Sequence, residues 1–167
     1  MNNSSRQLKR LILAGLLLAI TIVFGRLFII PIPWTHGNVN LCDAGIMIAA
    51  MILGPVYGTA VGGLGGLFLD LISGFTQYAP FSLIAHGLEG LIAGWLAKKA
   101  GSRKAGQWCA LIVAAIVMVI CYFFADSLLY TWTAGVLGIG TNLLQGIIGV
   151  VITMLVVPAV KKRLNFC

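Results

Sequence analysis

The stretch VYGTAVGGLGGLFLDLI, residues 56–72, is an apolar run that contains five glycines and a single charged residue, Asp70. Gly58, Gly62 and Gly66 are four residues apart. In a helix these glycines share one face, and small residues on one face allow another backbone to approach closely. We interpret this face as a packing surface within the chain. A run of this composition is typical of a membrane-spanning helix, which requires about 20 predominantly apolar residues.

The rest of the chain has the same character as this run. Hydrophobic residues make up 60% of the 167 residues, a further 21 residues are glycine, and 9% are charged. Soluble domains have roughly 25% charged residues, so this chain lacks the charges that would cover a soluble fold of its size. We therefore predict an all-α integral membrane protein that forms a single membrane domain over residues 1–167.

Six apolar runs predict six transmembrane helices. The second run is the shortest, with a length of about 20 Å as a helix, and Gly54-Pro55 separates it from the third run. The glycine-containing segment 125–141 is predicted to form an ordered loop at the membrane interface. The predicted helices cover about residues 8–30, 41–53, 56–72, 80–97, 108–124 and 143–157.

The basic residues lie in three clusters, at residues 6–10, 98–104 and 161–163, and the net charge is +7. Cytoplasmic loops are enriched in Lys and Arg, so we expect the three clusters to share the cytoplasmic side. The chain must then cross the membrane an even number of times between the first two clusters, which requires 41–53 to count as a crossing. Both termini are predicted to be cytoplasmic, and no nucleic-acid partner is expected.

Four acidic residues fall in the outer half of this predicted topology or near its midplane. We expect Asp43 to cap the second helix, and we interpret Asp70 and Asp126 as capping or interfacial groups. Glu89 is different because it lies nine residues beyond Pro80, roughly 14 Å along its helix from the outer end. A carboxylate at the centre of a spanning helix costs about 2.5–3.5 kcal/mol on insertion scales, so Glu89 should face a cavity or a partner.

Further polar side chains follow the helical period. Ser82, His86 and Glu89 line one stripe of the fourth helix. This stripe is either a structural pair of His86 with Glu89 or a surface that faces a ligand. Asn142 and Gln145 share a face of the sixth segment. Their amide groups either form hydrogen bonds to neighbouring helices or bind a polar ligand.

The first predicted helix carries a smaller face of small residues. Ala14 and Gly15 lie next to each other, and Ala19 follows one turn later. Such a face either docks a partner subunit or packs against other helices of the same chain.

Motifs for several enzyme classes are absent from the sequence. The chain has no G-x-x-x-x-G-K-[ST] loop for ATP, no H-E-x-x-H metal motif and no G-x-S-x-G nucleophile motif. Its two histidines are far apart, and its four cysteines lack metal-binding spacing. We therefore predict that the chain is not an enzyme and that it uses no metal ion and no cofactor.

An ordered series of short segments between residues 32 and 97 resembles the substrate-binding S-components of energy-coupling factor (ECF) vitamin transporters. The length and the six-helix layout of the whole chain agree with this family. The segments are IPW (32–34), GNVNLCD (37–43), AAMILGPVYG (49–58), GGLGG (62–66), DLISG (70–74), YAPF (78–81) and HGLEG (86–90).

The resemblance implies a division of labour in the plasma membrane of a prokaryote. An S-component captures a vitamin outside the cell and docks on a membrane T-component that carries two ATPases. ATP hydrolysis then reorients the S-component in the lipid bilayer and releases the vitamin inward. By resemblance, Ala14, Gly15 and Ala19 would contact the T-component. The residues that correspond to the vitamin site are Trp34, Asn40, Tyr78, Ser82, His86, Glu89, Tyr122, Asn142 and Gln145.

Electrostatics narrows the class of vitamin. The predicted outer half carries four acids against Arg26 and two histidines, which is a poor setting for folate or for phosphorylated compounds. A small neutral or weakly basic heteroaromatic compound fits better, because its ring stacks on aromatic side chains while carboxylates accept from its N–H groups. Hydroxymethylpyrimidine and pyridoxine-like compounds have this chemistry, and riboflavin and pantothenate stay open.

Two alternatives to the vitamin-binding subunit remain at this point. The first is a stand-alone proton-coupled secondary transporter or channel, in which Glu89 would relay protons. The second is a membrane scaffold that binds no small molecule.

Overall fold

A computed structural model describes residues 3–33 and 38–164 of the chain. Within these ranges the chain forms six helices and one pair of short antiparallel strands, so the predicted all-α class and the number of helices are confirmed. The elements are α1 (Asn3–Leu27), β1 (Ile30–Pro31), β2 (Asn38–Val39), α2 (Cys42–Leu53), α3 (Pro55–Ser73), α4 (Ala79–Ala100), α5 (Lys104–Leu129) and α6 (Trp132–Leu164).

Four of the described helices are long and apolar enough to cross a membrane. They are α1, α3, α5 and the segment Trp132–Arg163 of α6. Helix α2 is apolar but has 12 residues, and the 22-residue α4 carries Ser82, His86 and Glu89 among its apolar side chains.

Helix α2 lies at the centre of the bundle and packs against α1, α3, α4 and α6. Its side chains are buried around most of its circumference, including Ile46, Met47 and Ala49, which are fully enclosed. A helix that is apolar on all sides is stable in the interior of a larger assembly of helices. Helix α6 comes close enough to α2 for Thr153 Oγ1 to donate a hydrogen bond to the Ala44 carbonyl at 3.3 Å.

The glycine face of α3 packs within the chain, as predicted, and the helix that it packs against is α4. A Cβ atom on Gly58 would lie 2.6 Å from the Gly90 carbonyl oxygen, and one on Gly62 would overlap the carbonyl group of His86. A Cβ atom on Gly66 would lie 2.6 Å from Cδ2 of the His86 ring. The two backbones therefore approach more closely than any larger residue would allow, and this contact sets the position of His86.

The first helix ends earlier than predicted, at Leu27 instead of residue 30. Ile30 and Pro31 form strand β1, in which Ile30 pairs with Val39 and Pro31 with Asn38. Proline disfavours helical backbone in the residue that precedes it, so the chain is extended before Pro31. The strand pair turns the chain back toward the start of α2.

The predicted interfacial loop 125–141 is wrong. Helix α5 continues to Leu129 and α6 begins at Trp132, so two residues connect them. Two of the three glycines that suggested a loop are positions of close helix contact: a Cβ atom on Gly135 would overlap the Ser127 side chain, and one on Gly138 would overlap the Asp126 carboxylate. The predicted ranges 108–124 and 143–157 are correspondingly too short, whereas those of the second, third and fourth helices differ from the structure by at most three residues.

The three basic clusters lie at one end of the bundle, which we call the basic end. Arg10, Lys98 and Lys161, one from each cluster, line a single cavity of about 580 Å³ there. Arg10 Nη2 also donates a hydrogen bond of 2.6 Å to the Leu53 carbonyl. We call the opposite end, which carries the strand pair, the hairpin end. The three clusters were predicted to share one side of the protein, and this arrangement agrees with that prediction.

We predict that Gly90→Ala destabilises the protein, because the new Cβ atom would overlap the Gly58 carbonyl. Overpacking of this kind costs about 1–3 kcal/mol, and thermal unfolding in detergent should show a lower Tm. Gly140→Ala is the matched control, because no atom lies within 4 Å of a Cβ atom at this helical position. Equal Tm values for the two variants would contradict the close contact of α3 with α4.

Candidate functional site

A polar cavity of about 40 Å³ lies at the hairpin end, between β2, α3, α4, α5 and α6. Its wall consists mostly of hydroxyl, amide, carboxylate and imidazole groups. The lining residues are Asn38, Asn40, Gly66, Leu69, Asp70, Tyr78, His86, Tyr122, Asp126, Thr141, Asn142 and Gln145.

Six of the nine predicted site residues line this cavity: Asn40, Tyr78, His86, Tyr122, Asn142 and Gln145. Ser82 and Glu89 are fully buried behind the wall and form hydrogen bonds to residues that line it. Trp34 lies outside the described residues. The structure therefore brings eight of the predicted side chains into one region, and their role in binding stays a prediction.

A chain of hydrogen bonds joins three helices below the cavity. The Ser82 hydroxyl on α4 donates to Oδ2 of Asp70 on α3. The same hydroxyl lies 2.6 Å from the hydroxyl of Tyr122 on α5. The Tyr122 hydroxyl in turn lies 3.0 Å from Nε2 of His86. Each of the four side chains in this chain of hydrogen bonds therefore has a partner on a neighbouring helix, as buried polar groups generally do.

His86 and Glu89 form the pair that their spacing suggested. His86 Nδ1 lies 2.8 Å from Glu89 Oε2, and both side chains are buried. The other ring nitrogen of His86 faces Tyr122 and the imidazole lines the cavity. The two alternatives from the sequence, a structural pair and a surface that faces a ligand, are therefore compatible. Glu89 orients the imidazole of His86, and this imidazole is exposed to the cavity.

Asp70 and Asp126 are part of the cavity wall, so their interpretation as capping or interfacial groups is wrong. Their side chains are 9% and 4% exposed. The Tyr78 hydroxyl donates to Asp126 Oδ1 at 2.6 Å. Burial, and then the bond to Asp126, raise the pKa of the Tyr78 phenol well above its usual range, so the phenol stays protonated. Asp126 follows Tyr122 by four residues. This spacing places both side chains on one face of α5, so it could have identified Asp126 as a further residue of the cavity wall.

Asp43 does not cap α2, in contrast to the sequence prediction. The helix start has no capping hydrogen bond from the side chain of its N-cap residue, and the Oδ1 atom of Asn40 accepts the Cys42 N–H at 2.9 Å. The Asp43 carboxylate is fully buried and accepts a hydrogen bond of 3.0 Å from Nε2 of Gln145. Asp43 therefore belongs to the polar interior below the cavity.

Gln145 connects three elements through one amide group. Its Oε1 atom accepts the backbone N–H of Asn40 at 2.8 Å, while its Nε2 atom donates to Asp43. Helix α6 thereby holds the segment between β2 and α2 in place. The amide acts between helices, which is one of the two alternatives that the sequence left open.

The cavity offers both hydrogen-bonding groups and aromatic surface. The rings of Tyr78 and Tyr122 lie 6.4 Å apart, and that of His86 lies 5.5 Å from Tyr122. In the described wall, Asp70 and Asp126 supply carboxyl groups, Tyr78 and Tyr122 supply phenol groups and His86 supplies an imidazole. A ligand with N–H donors and an aromatic ring fits this set of groups.

Two further groups of residues have a defined place, of which the one on α1 was predicted from the sequence and the other was not. Cys42, Asp43 and His86 bring one possible metal-ligand atom each to within 4.8 Å of one another. On α1, Ala14 is 7% exposed and packs with Ala49 and Val61, so it forms part of the core. Gly15 and Ala19 are exposed, and their contact with a partner stays a prediction.

We predict that Gln145→Leu lowers the free energy of unfolding, because it leaves the Asn40 N–H and the Asp43 carboxylate without their amide partner. A buried group that loses its partner costs about 1–3 kcal/mol, which thermal unfolding in detergent should detect. Gln77→Leu is the control, because Gln77 is exposed and bonds to the Tyr130 hydroxyl at 3.2 Å. A Tm for Gln145→Leu that matches the control would show that the amide bridge is unimportant.

The chain is similar to transporter S components and their relatives over most of its length. The family model of the ECF-type riboflavin transporter S component matches residues 5–162. The thiamine precursor transporter HmpT of Lactococcus lactis subsp. cremoris is 35% identical over 159 residues, which are 95% of this chain and 91% of that protein. An uncharacterised protein of Pyrococcus woesei is 33% identical over 137 residues, which are 81% of this chain and 90% of that protein.

Solved structures agree with these sequence relatives. The S component of a bacterial ECF transporter superposes with a TM-score of 0.75 at 25% identity and covers 96% of this chain and 99% of its own. The S-component for biotin of an ECF-type ABC transporter superposes with a TM-score of 0.77 at 23% identity, covering 98% and 95% of the two chains. At this level of identity, the similarity to the second structure shows a shared fold and carries no conclusion about its ligand.

Proposed function

The chain belongs to the S-component family of ECF transporters, and we propose that it is a member that binds hydroxymethylpyrimidine, a thiamine precursor, for import. The family consists of membrane-embedded transporter subunits for vitamins, not of enzymes. The observation that carries the proposal is the 35% identity with a thiamine precursor transporter over 95% of this chain. The name of the family model refers to riboflavin, so the choice of vitamin depends on the chemistry of the cavity.

Hydroxymethylpyrimidine matches the groups in the cavity wall. It has an aromatic ring, an exocyclic amino group and a hydroxymethyl group. Carboxylates such as those of Asp70 and Asp126 accept hydrogen bonds from amino groups, and the rings of Tyr78 and Tyr122 offer aromatic surface. Asn142 supplies both a donor and an acceptor for the ring nitrogens and the hydroxyl.

The size and charge of the cavity favour a single small ring over the larger vitamins. The cavity has about 40 Å³, whereas a cavity of about 150 Å³ holds benzene. The wall must therefore move outward even for one substituted ring, and the tricyclic ring of riboflavin requires a larger movement. Two carboxylates in the wall also disfavour folate and phosphorylated compounds, which carry negative charge. Pyridoxine has a single ring and belongs to the same chemical class.

We place the hairpin end outside the cell and the basic end, with both termini, in the cytoplasm, in accordance with the positive-inside rule. The vitamin would then enter from outside. In this proposal a T-component and two ATPases complete the importer, since the chain itself has no ATP-binding loop. The exposed small residues of α1, Gly15 and Ala19, would contact the T-component.

We predict that Asp126→Asn and Asn142→Ala each weaken hydroxymethylpyrimidine binding at least tenfold. A hydrogen bond to a charged group contributes about 1.5–3 kcal/mol, and 1.4 kcal/mol corresponds to tenfold in affinity. Calorimetric titration of the purified protein measures the effect. Gln107→Ala is the control, because this amide bonds to the Gly101 carbonyl near the basic end. Unchanged affinity in both cavity variants would place the vitamin site elsewhere.

A titration of the unmodified protein with several vitamins tests the choice of substrate. We expect hydroxymethylpyrimidine to bind more tightly than pyridoxine, and both to bind at least tenfold more tightly than riboflavin and folate. Mass spectrometry of small molecules released from the purified protein checks the result independently. Tighter binding of riboflavin would overturn the proposed substrate and leave the family assignment intact.

We predict that Gly15→Leu preserves vitamin binding but reduces co-purification with the T-component and the ATPases severalfold. The substitution leaves the fold intact because no atom lies within 4 Å of a Cβ atom at Gly15. Gly140→Leu serves as the matched control at an equally open position on α6. Intact complexes with Gly15→Leu would move the proposed partner face to another surface.

A transport assay separates the importer from the stand-alone transporter. Proteoliposomes that contain this chain alone should show no concentrative uptake, whereas those with the T-component, the ATPases and ATP should accumulate the vitamin. Uptake by the chain alone that dissipates a proton gradient would contradict the proposed mechanism.

A further inference from the structure

A cluster of three ligand-type side chains lies at the junction of α2 and α4. Cys42 and Asp43 are in the first turn of α2, and His86 is on α4. Cys42 Sγ lies 3.3 Å from Asp43 Oδ1 and 3.7 Å from His86 Nε2. The three side chains are enclosed, with exposures of 0%, 0% and 2%.

We propose that Cys42, Asp43 and His86 bind one divalent transition-metal ion, with zinc as the preferred ion. Zinc binds thiolate sulfur, imidazole nitrogen and carboxylate oxygen at about 2.0–2.3 Å in a tetrahedral arrangement. Ligand atoms around such an ion are separated by about 3.5 Å on average, as these bond lengths require. The distances from Cys42 Sγ to Asp43 Oδ1 and to His86 Nε2, 3.3 Å and 3.7 Å, lie on either side of this value.

The surroundings of His86 match those of a metal-bound histidine. A histidine that binds a metal through one ring nitrogen almost always donates its other N–H to a carboxylate, a carbonyl or a water molecule. Here Nε2 faces Cys42 Sγ, while Nδ1 lies 2.8 Å from Glu89 Oε2. Glu89 therefore positions the ring so that Nε2 points toward Cys42.

The charges of the cluster also favour a cation. Asp43 Oδ2 and Glu89 Oε1 are buried side-chain oxygens without a hydrogen-bond partner among the described residues. Buried carboxylates require pairing with a positive charge or coordination to a metal. Nδ1 of the single imidazole between them lies 3.6 Å from Asp43 Oδ1 and 2.8 Å from Glu89 Oε2. A divalent ion would compensate charge that one imidazole cannot.

The ligand set selects the type of ion. Thiolate and imidazole favour zinc and other late transition metals, whereas magnesium and calcium require oxygen ligands. With three protein ligands, a fourth position remains for a water molecule or another small ligand. Binding of the ion to Nε2 of His86 replaces its contact with the Tyr122 hydroxyl, which keeps the bond of 2.6 Å to Ser82.

The site was not visible in the sequence, where neither the histidines nor the cysteines have metal-binding spacing. The close contact of α3 and α4 and the burial of α2 bring Asp43 to within reach of His86, which follows 43 residues later. Metal binding goes beyond vitamin transport and does not depend on which vitamin the cavity holds.

Cobalt titration of the full-length protein, after treatment with a chelator, tests the proposal directly. We expect one equivalent of Co²⁺ to bind and to produce a thiolate-to-cobalt charge-transfer band in the near ultraviolet. Zinc should displace the cobalt and remove the band, and magnesium should not. Cys42→Ser should abolish the band, whereas the matched control Cys121→Ser should retain it, because Cys121 is a half-buried thiol outside the cluster.

A second variant tests the role of Glu89 and avoids dependence on Cys42→Ser alone. Glu89→Gln should weaken cobalt binding 10–100-fold, as is typical when the partner of a metal-bound histidine is changed, and it should preserve the charge-transfer band at saturation. Absence of a stoichiometric band in the unmodified protein would overturn the proposal, as would an unchanged band in Cys42→Ser. Since no vitamin is present, these results are independent of the hydroxymethylpyrimidine titrations.

Discussion

Inside an apolar helical bundle a carboxylate is stable only where the protein supplies its hydrogen-bond donors, and this chain buries four. Asp43, Asp70, Glu89 and Asp126 are each at most 9% exposed. Their partners lie on other helices or one turn away: Gln145 for Asp43, Ser82 for Asp70, His86 for Glu89 and Tyr78 for Asp126. Because water in the hydrocarbon region cannot replace these partners, the relative positions of the helices around the cavity are constrained by chemistry as well as by packing.

The contact of α3 with α4 makes this arrangement possible. Glycines at 58, 62 and 90 bring the two backbones together, so the short side chain of Ser82 reaches Asp70 and the ring of His86 lies against α3 at Gly66. A rigid pair of helices holds binding groups more accurately than a loop does. The polar site is therefore built mainly on helices, and Asn38 of strand β2 contributes to its wall.

The two ends of the bundle have opposite character, which suits a subunit that passes a ligand across a membrane. Acidic and amide groups surround the cavity at the hairpin end, and Arg10, Lys98 and Lys161 line the cavity at the basic end. Helix α1 is the least buried of the four apolar spans, with 17% of its most apolar window enclosed. Its exposed residues include large hydrophobic side chains such as Leu11 and Leu16, a surface that suits lipid or another membrane subunit.

The amino-acid sequence was sufficient to predict the membrane class, the six helices and most of the polar side chains that the structure brings together around the cavity. Apolar runs and helical spacing depend on local chemistry, which is why the stripe of Ser82, His86 and Glu89 was recognisable. Whether a glycine belongs to a loop or to a contact between helices depends on the tertiary structure, as α5 and α6 show, which occupy most of residues 125–141. It also decided the roles of Asp43, Asp70 and Asp126, because a carboxylate near a helix end has the same local sequence whether it faces solvent or a neighbouring helix. Contacts between residues distant in the chain, such as that of Cys42 with His86, depend on how the helices pack, and the spacing of residues along the chain contains no information on that packing.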